Sequence, residues 1–230
     1  MGQPLLLIGT GRRNTKAVRA VCLQCFVSEV RQYKKIKPQL YVRIQYALRN
    51  IIMMKKRLND LQKTGELCFL YYDEDDTEIF LIGTIEKVDR EFFVMSCYTL
   101  NGEANGFTCR LIQSIIKIET KHAYIESVQK LIDGERHAAF PAEFREGMQC
   151  LTSILDYAYK NRRVCFIELC ESSNVDAVGL IGELDRQTIM MYLYTECGQQ
   201  DGEAVLDYEA ISSVTVGGKL QDRIERLMKE

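Results

Sequence analysis

GTIEKVDREFFVMSCYTLNGEANGFTCRLIQSIIKI, residues 83–118, and GLIGELDRQTIMMYLYTECGQQDGEAVLDYEAISSV, residues 179–214, are one pattern written twice. At an offset of 96 and without a gap, Gly83 falls on Gly179, Ile85 on Ile181, Asp89-Arg90 on Asp185-Arg186 and Met95 on Met191. Tyr98-Thr99 falls on Tyr194-Thr195, Gly102 and Gly106 on Gly198 and Gly202, and Ile115 on Ile211. These are ten identities in thirty-six positions. An internal duplication replaces the question of one large globule with that of a small unit used twice.

One residue of register change carries the match upstream. Ala47, Ile51, Met54, Leu58 and Leu61 fall on Phe144, Met148, Leu151, Leu155 and Ala158, and Cys68-Phe69 on Cys165-Phe166. The apolar steps of three and four define one stripe of an amphipathic helix, and the stripe repeats with the duplication. Downstream, Tyr124, Val128 and Leu131 fall on Leu220, Ile224 and Leu227, which gives each unit a short closing helix.

Between the helices the pattern is that of strands: 67–72 and 164–169, 79–88 and 177–184, 92–99 and 188–195. The acidic or polar tips at 73–76 and 171–174 read as turns, and the Asp-Arg pairs as tight reversals. Asn101-Gly102 and Gly198 open a longer polar loop before two short closing strands, at 108–112 with 114–119 and at 204–208 with 211–216. Five short strands of this kind bury little as a flat sheet but enclose a core when curled into a small barrel. The fold class expected is therefore α+β: two tandem small five-stranded antiparallel β-barrels, each preceded and followed by a helix, plus a basic helical N-terminal segment. The corresponding domains are a helical arm at 1–37, a first repeat at 38–134 and a second at 135–230.

The leading helix, the strand-two glycine, the Asp ending GTIEKVD (83–89) and the closing strand SIIKI (114–118) resemble the Sm-like small β-barrel family, over 39–120 and 142–216. The resemblance implies barrels that associate through strand edges into rings, so that three chains of two barrels would complete a six-barrel ring. RNA-binding members of that family carry an Asn shortly after the Asp and an Arg-Gly or Lys-Gly pair entering the last strand. Here Asp89 is followed by Arg90-Glu91-Phe92-Phe93 and Asp185 by Arg186-Gln187-Thr188-Ile189, and the last strands are entered from Leu111-Ile112-Gln113 and Asp207-Tyr208-Glu209. The uridine-type RNA pocket therefore does not carry over.

Composition fits a soluble, cytoplasmic protein without a membrane partner: 230 residues, 47% hydrophobic, with Leu5–Ile8 too short for a membrane span or signal segment. Nine cysteines, most of them among apolar neighbours, read as small buried hydrophobes of a reducing compartment. Cys22-Leu23-Gln24-Cys25 has metal-ligand spacing but no second pair or nearby His, and on a helix it reads as core.

The net charge of −2 hides a division, with +12 on residues 1–64 and −14 on the rest. Arg12, Arg13, Lys34, Lys35, Lys37, Lys55, Lys56 and Arg57 are the candidate contacts to nucleic-acid phosphates. A solvated helix surface, or an arm docked on an acidic barrel, explains the same charge, and neither stacking aromatics nor a base-reading motif accompanies it. Asn14-Thr15 can cap a helix from about Lys16 to Lys35, and Pro38 restarts the chain for the first repeat.

Catalytic machinery is not visible. His122 and His137 do not repeat, Gly9-x-Gly11 and Gly217-Gly218-Lys219 lack the remaining marks of phosphate loops, and Asp73–Asp76 lacks the alternation of a calcium loop. No cofactor or metal is expected. Asp89, Arg90, Asp185 and Arg186 form the one charged pair repeated intact, either a ligand contact or an Asp that holds a turn. The function expected is a non-enzymatic tandem Sm-like protein that self-assembles as a homo-oligomer or binds other proteins. The alternative is an RNA- or DNA-binding regulator using the basic N-terminal helices.

Overall fold

The computed structural model describes residues 38–72, 80–132, 148–170 and 176–229. Two compact units divide the chain, Met1–Asn50 and Ile51–Glu230. In the first, the described residues 38–50 are helical. The expected arm helix at 16–35, the tips at 73–76 and 171–174 and the boundary at 133–136 fall outside the described residues.

The element order is α1 (Pro38–Thr64), β1 (Cys68–Tyr71), β2 (Phe80–Val88), β3 (Phe92–Tyr98), β4 (Ala104–Leu111), β5 (Lys117–Glu119) and α2 (Ala123–Ile132). It continues with α3 (Cys150–Lys160), β6 (Cys165–Leu169), β7 (Ala177–Leu184), β8 (Thr188–Tyr194), β9 (Gln200–Asp207), β10 (Ile211–Val216) and α4 (Lys219–Leu227). The protein is thus α+β. Among the described residues no helix is long and apolar enough to cross a membrane.

All ten strands join one antiparallel sheet in the order β5-β1-β2-β3-β4-β10-β6-β7-β8-β9. Each repeat contributes the same local order, fifth strand beside first and then second, third and fourth. The expectation of two separate small barrels meets a single continuous sheet, because β4 of the first repeat pairs with β10 of the second. The sheet is not closed, and its end strands β5 and β9 do not pair with each other.

The duplication extends to irregularities of the backbone. The β2–β3 ladder shifts register between Ile85 and Lys87, and β7–β8 between Ile181 and Glu183, 96 residues on. A second pair of shifts lies between Ser96 and Tyr98 and between Tyr192 and Tyr194. Such bulges bend a strand and strengthen its twist. A Cβ on Gly83 would lie 1.9 Å from the Ser96 carbonyl oxygen, and one on Gly179 would lie 1.9 Å from that of Tyr192. Glycine stands in strand two because the neighbouring backbone leaves no room for a side chain.

Two boundaries differ from expectation. The polar loop after β3 is shorter, since β4 starts at Ala104 and β9 at Gln200, and pairing runs on through Gly106 and Gly202 at positive φ. The closing helices bury only part of their expected stripes, Val128 and Ile224, together with residues outside them. Ile125, Val128, Ile132, Gln221 and Ile224 are buried, whereas Tyr124, Leu131 and Leu220 are exposed.

Each leading helix packs on its own repeat. Leu58 and Leu61, with Ile51 and Met54 beside them, cover Cys68, Leu70, Ile85, Phe93, Met95 and Cys97. Leu151, Ile154, Leu155 and Ala158 do the same over Cys165, Ile167, Ile181, Ile189 and Met191. Leu58→Ala and Leu155→Ala should each cost about 2–5 kcal/mol through lost transfer energy and a residual cavity. Urea denaturation measures this, and unchanged midpoints in both variants would show that these helices do not carry the cores.

Candidate assembly interface

The seam inside the chain is a four-pair ladder: Arg110 opposite Ser213, Cys109 opposite Val214, Thr108 opposite Thr215 and Phe107 opposite Val216. The Thr108 and Thr215 hydroxyls meet at 3.0 Å. Arg110, almost fully buried, donates to Glu168 Oε1 at 2.8 Å, and its guanidinium carbon lies 3.7 Å from the centroid of the Tyr72 ring. A buried cation needs such partners because desolvation disfavours it.

At the end of the seam the backbones come closer still. A Cβ on Gly106 would lie 2.2 Å from the Val216 carbonyl oxygen and 2.5 Å from the Gly218 nitrogen. Asn105 Oδ1 accepts the Lys219 N–H at 3.1 Å, which occupies one of the free donors at the start of α4, and Lys219 Nζ pairs with the Glu103 carboxylate. That hydrogen bond and charge hold the Glu103 carboxyl below its ordinary value.

The first repeat also completes the core of the second. Val94, Phe107 and Cys109 lie in the cluster covered by α3, and Lys87 donates to the Met148 carbonyl at 2.5 Å. Cys109 and Cys150 are both 0% exposed within that cluster. Burial, then the neighbouring Cys150, pushes the Cys109 thiol well above its ordinary value. Burial, then Asp89, raises Cys150 in the same way. Thiols so placed stay protonated and pack as small hydrophobes. Seven cysteines among the described residues are free thiols, five of them buried.

Asp89 and Asp185 hold the reversals between strands two and three. Asp89 Oδ1 accepts from the Glu91 and Phe92 amides at 2.9 and 2.8 Å, and Asp185 Oδ1 from those of Gln187 and Thr188 at 2.6 and 2.7 Å. The second oxygens differ in use. Asp89 Oδ2 accepts the Cys150 N–H at 2.6 Å and so caps α3 across the repeats, while Asp185 Oδ2 accepts from the Thr188 hydroxyl at 3.0 Å. Arg90 and Arg186 are exposed.

Of the basic residues, Arg12, Arg13, Lys34, Lys35 and Lys37 fall outside the described residues. Lys55 Nζ lies 3.5 Å from the Arg90 carbonyl oxygen, Arg57 Nη2 donates to Thr120 Oγ1 at 2.8 Å, and Lys56 is exposed. Successive residues of a helix point in different directions, so these three do not form one patch. Among the described residues, no group of three or more His, Cys, Asp or Glu is placed to hold a metal ion.

The two ends of the sheet are the counterparts of the seam. By the 96-residue offset β9 corresponds to β4 and β5 to β10, yet among the described residues each is paired along one edge only. Val205, in the place of Cys109, is 69% exposed. A Cβ on Gly202, in the place of Gly106, would have nothing within 4 Å. Nothing in the sequence singled out these positions beyond the Gly106/Gly202 match, since what touches a repeated residue can differ between repeats.

No protein-family model, no curated protein and no solved structure matches this chain.

Two outcomes test this geometry. Gly106→Ala and Gly202→Ala both place a side chain at positive φ, which costs about 1–3 kcal/mol, but only Gly106→Ala also drives a Cβ into a neighbouring strand. The Gly106 variant should be clearly the less stable by denaturant unfolding. Backbone hydrogen bonds, first from Gln187 and then from Thr188, hold Asp185 below its ordinary 3.8. A lowered folded-state pKa contributes stability above the unfolded value that is lost as pH falls through the folded one. Asp185→Ala should therefore destabilise at neutral pH, with the difference from the unsubstituted protein narrowing in acid through the range below 3.8.

Proposed function

We propose that this chain is a non-enzymatic tandem module of two Sm-like small barrels that works by pairing its exposed sheet edges with other strands, its own or those of another protein. The observation that carries this reading is the β4–β10 seam. It is a working example, within one chain, of the fourth strand of one repeat receiving the fifth strand of the next. The strand order of each repeat and the bulges at matched positions support bent, barrel-like halves.

An open strand presents unpaired N–H and C=O groups and templates the addition of another strand, with side chains at alternate positions supplying selectivity. Val205 is central on the open edge of β9. The Tyr208 N–H bonds the Gln187 carbonyl at 2.8 Å, so alternation along the strand turns the Val205 N–H, three residues back, away from β8 and towards the open side. Val205→Pro removes that donor and keeps the β8 ladder. The variant should fold, as circular dichroism would report. It should also lose self-association in light scattering and release any protein that co-purifies with the unsubstituted chain. Unchanged association of every kind would overturn edge pairing as the mode of action.

A further inference from the structure

On the sheet face opposite α3, the second repeat carries the counterpart of a surface that α3 itself covers in the first repeat. We propose that this face of β7, β8 and β9 docks a basic amphipathic helix of another protein, whose first turn is capped by Asp185. Side chains of the face are used here, not free backbone groups of the edge, so this docking is independent of edge pairing.

The internal template is a row of side chains across β2, β3 and β4, where Lys87, Val94 and Cys109 stand side by side in the ladders. The start of α3 lies on this row. Lys87 donates to the Met148 carbonyl, Asp89 Oδ2 accepts the Cys150 N–H, and Cys109 and Cys150 share one core. By the 96-residue offset the counterparts Glu183, Met190 and Val205 stand side by side across β7, β8 and β9. Here Val205 is 69% exposed, and Tyr192 in the next row is 36% exposed. Burying such surface is the main favourable term in association.

What differs between the two surfaces defines the partner. Leu180 and Tyr192 stand where the first repeat has Thr84 and Ser96, so the open face is more apolar at these places than the covered one. A Cβ on Gly182 would lie 2.6 Å from Met190 Cε and from Tyr192 Cε2; the two side chains lie over the glycine and form an apolar floor. Around this floor Lys87 is replaced by Glu183, Phe107 by Glu203 and Leu111 by Asp207, and all three acids are exposed. An apolar floor rimmed with acids suits the apolar stripe of a helix that is basic on either side of it.

Asp185 fixes where that helix begins. Its Oδ1 holds the reversal, as Asp89 Oδ1 does, and its Oδ2 accepts from the Thr188 hydroxyl. A carboxylate oxygen has two acceptor sites, so Oδ2 can also take the first amide of a helix, as Asp89 Oδ2 takes that of Cys150. A second copy of this chain does not supply such a start. The residue of α1 that corresponds to Cys150 is Met53, at the offset of 97, and α1 runs unbroken from Pro38 to Thr64. The Met53 amide is therefore bonded within its own helix. The occupant is a helix that starts at the Asp185 reversal, on another protein.

The probe is a synthetic peptide of residues 148–160 with a free N-terminus, Tyr157→Lys, and a hydrocarbon staple joining positions 156 and 160, which already pair at the surface. In the chain the Tyr157 ring packs edge-on against Phe107 at 6.5 Å, so the lysine is set to meet Glu203, and the free ammonium at 148 to meet Glu183. The labelled peptide should bind the full chain in fluorescence anisotropy. Glu183→Lys with Glu203→Lys in the protein should weaken binding about tenfold or more, with circular dichroism checking the fold. Cys150→Pro in the peptide removes the capping donor at a position where proline suits a helix, and should weaken binding as well. A peptide that fails to bind, that binds the doubly substituted protein equally well, or that keeps full affinity with Cys150→Pro overturns the proposal. So does binding that appears only once residues 1–37 are removed, which assigns the face to the chain's own arm. A homo-oligomer that the double substitution dissociates while the peptide finds no site assigns the face to a second copy, and overturns it too.

Discussion

Within the described residues of Ile51–Glu230, the hydrogen-bonded ladder between β4 and β10 joins the two repeats. Each repeat alone is small, and small sheets bury too little surface to be secure by themselves. The ladder lets one sheet run through both repeats and lets Val94, Phe107 and Cys109 complete a core that α3 covers. Arg110, buried between Glu168 and the Tyr72 ring, is tolerable only because the second repeat supplies its carboxylate.

Helix ends add to this dependence. The amide of Cys150 at the start of α3 is satisfied by Asp89, and that of Lys219 at the start of α4 by Asn105, both from the first repeat. Arg163 binds Asp222 and Glu225, and Glu225 also accepts the Val164 amide, which fixes α4 over the entry to β6. The second repeat is therefore positioned by the first at its strand edge and at both of its helices.

Much of this was legible in the sequence for a definite reason. Gly83, Gly179, Asp89 and Asp185 answer demands that arise inside one repeat, a close strand approach and a tight reversal, so duplication displays each demand twice. Helix stripes were legible where the helix covers its own sheet, at Leu58 and Leu155. They misled at Tyr124, Leu131 and Leu220, which are exposed, while Ile125, Ile132 and Gln221 turn inward instead. The seam was not legible because it joins positions that are not equivalents of each other. Cys109 and Val214 look like any inward residues of their strands, and Arg110 like any surface base. The loop that Asn101-Gly102 and Gly198 were expected to open ends early, since β4 and β9 run on through Gly106 and Gly202 at positive φ.

The residues that meet at the seam are far apart along the chain: the Thr108 and Thr215 hydroxyls are separated by 107 positions. Closing so long a stretch costs entropy before any contact repays it, and such pairings form late in folding. On the ribosome, where synthesis runs from the N-terminus, β4 is complete long before β10 exists. Through that interval the nascent chain holds Phe107 and Cys109 along a strand that β3 pairs on one edge only, leaving the other open to premature capture by another chain. Shelter comes only with the arrival of Ile211–Val216, which pairs with a strand made roughly a hundred residues earlier.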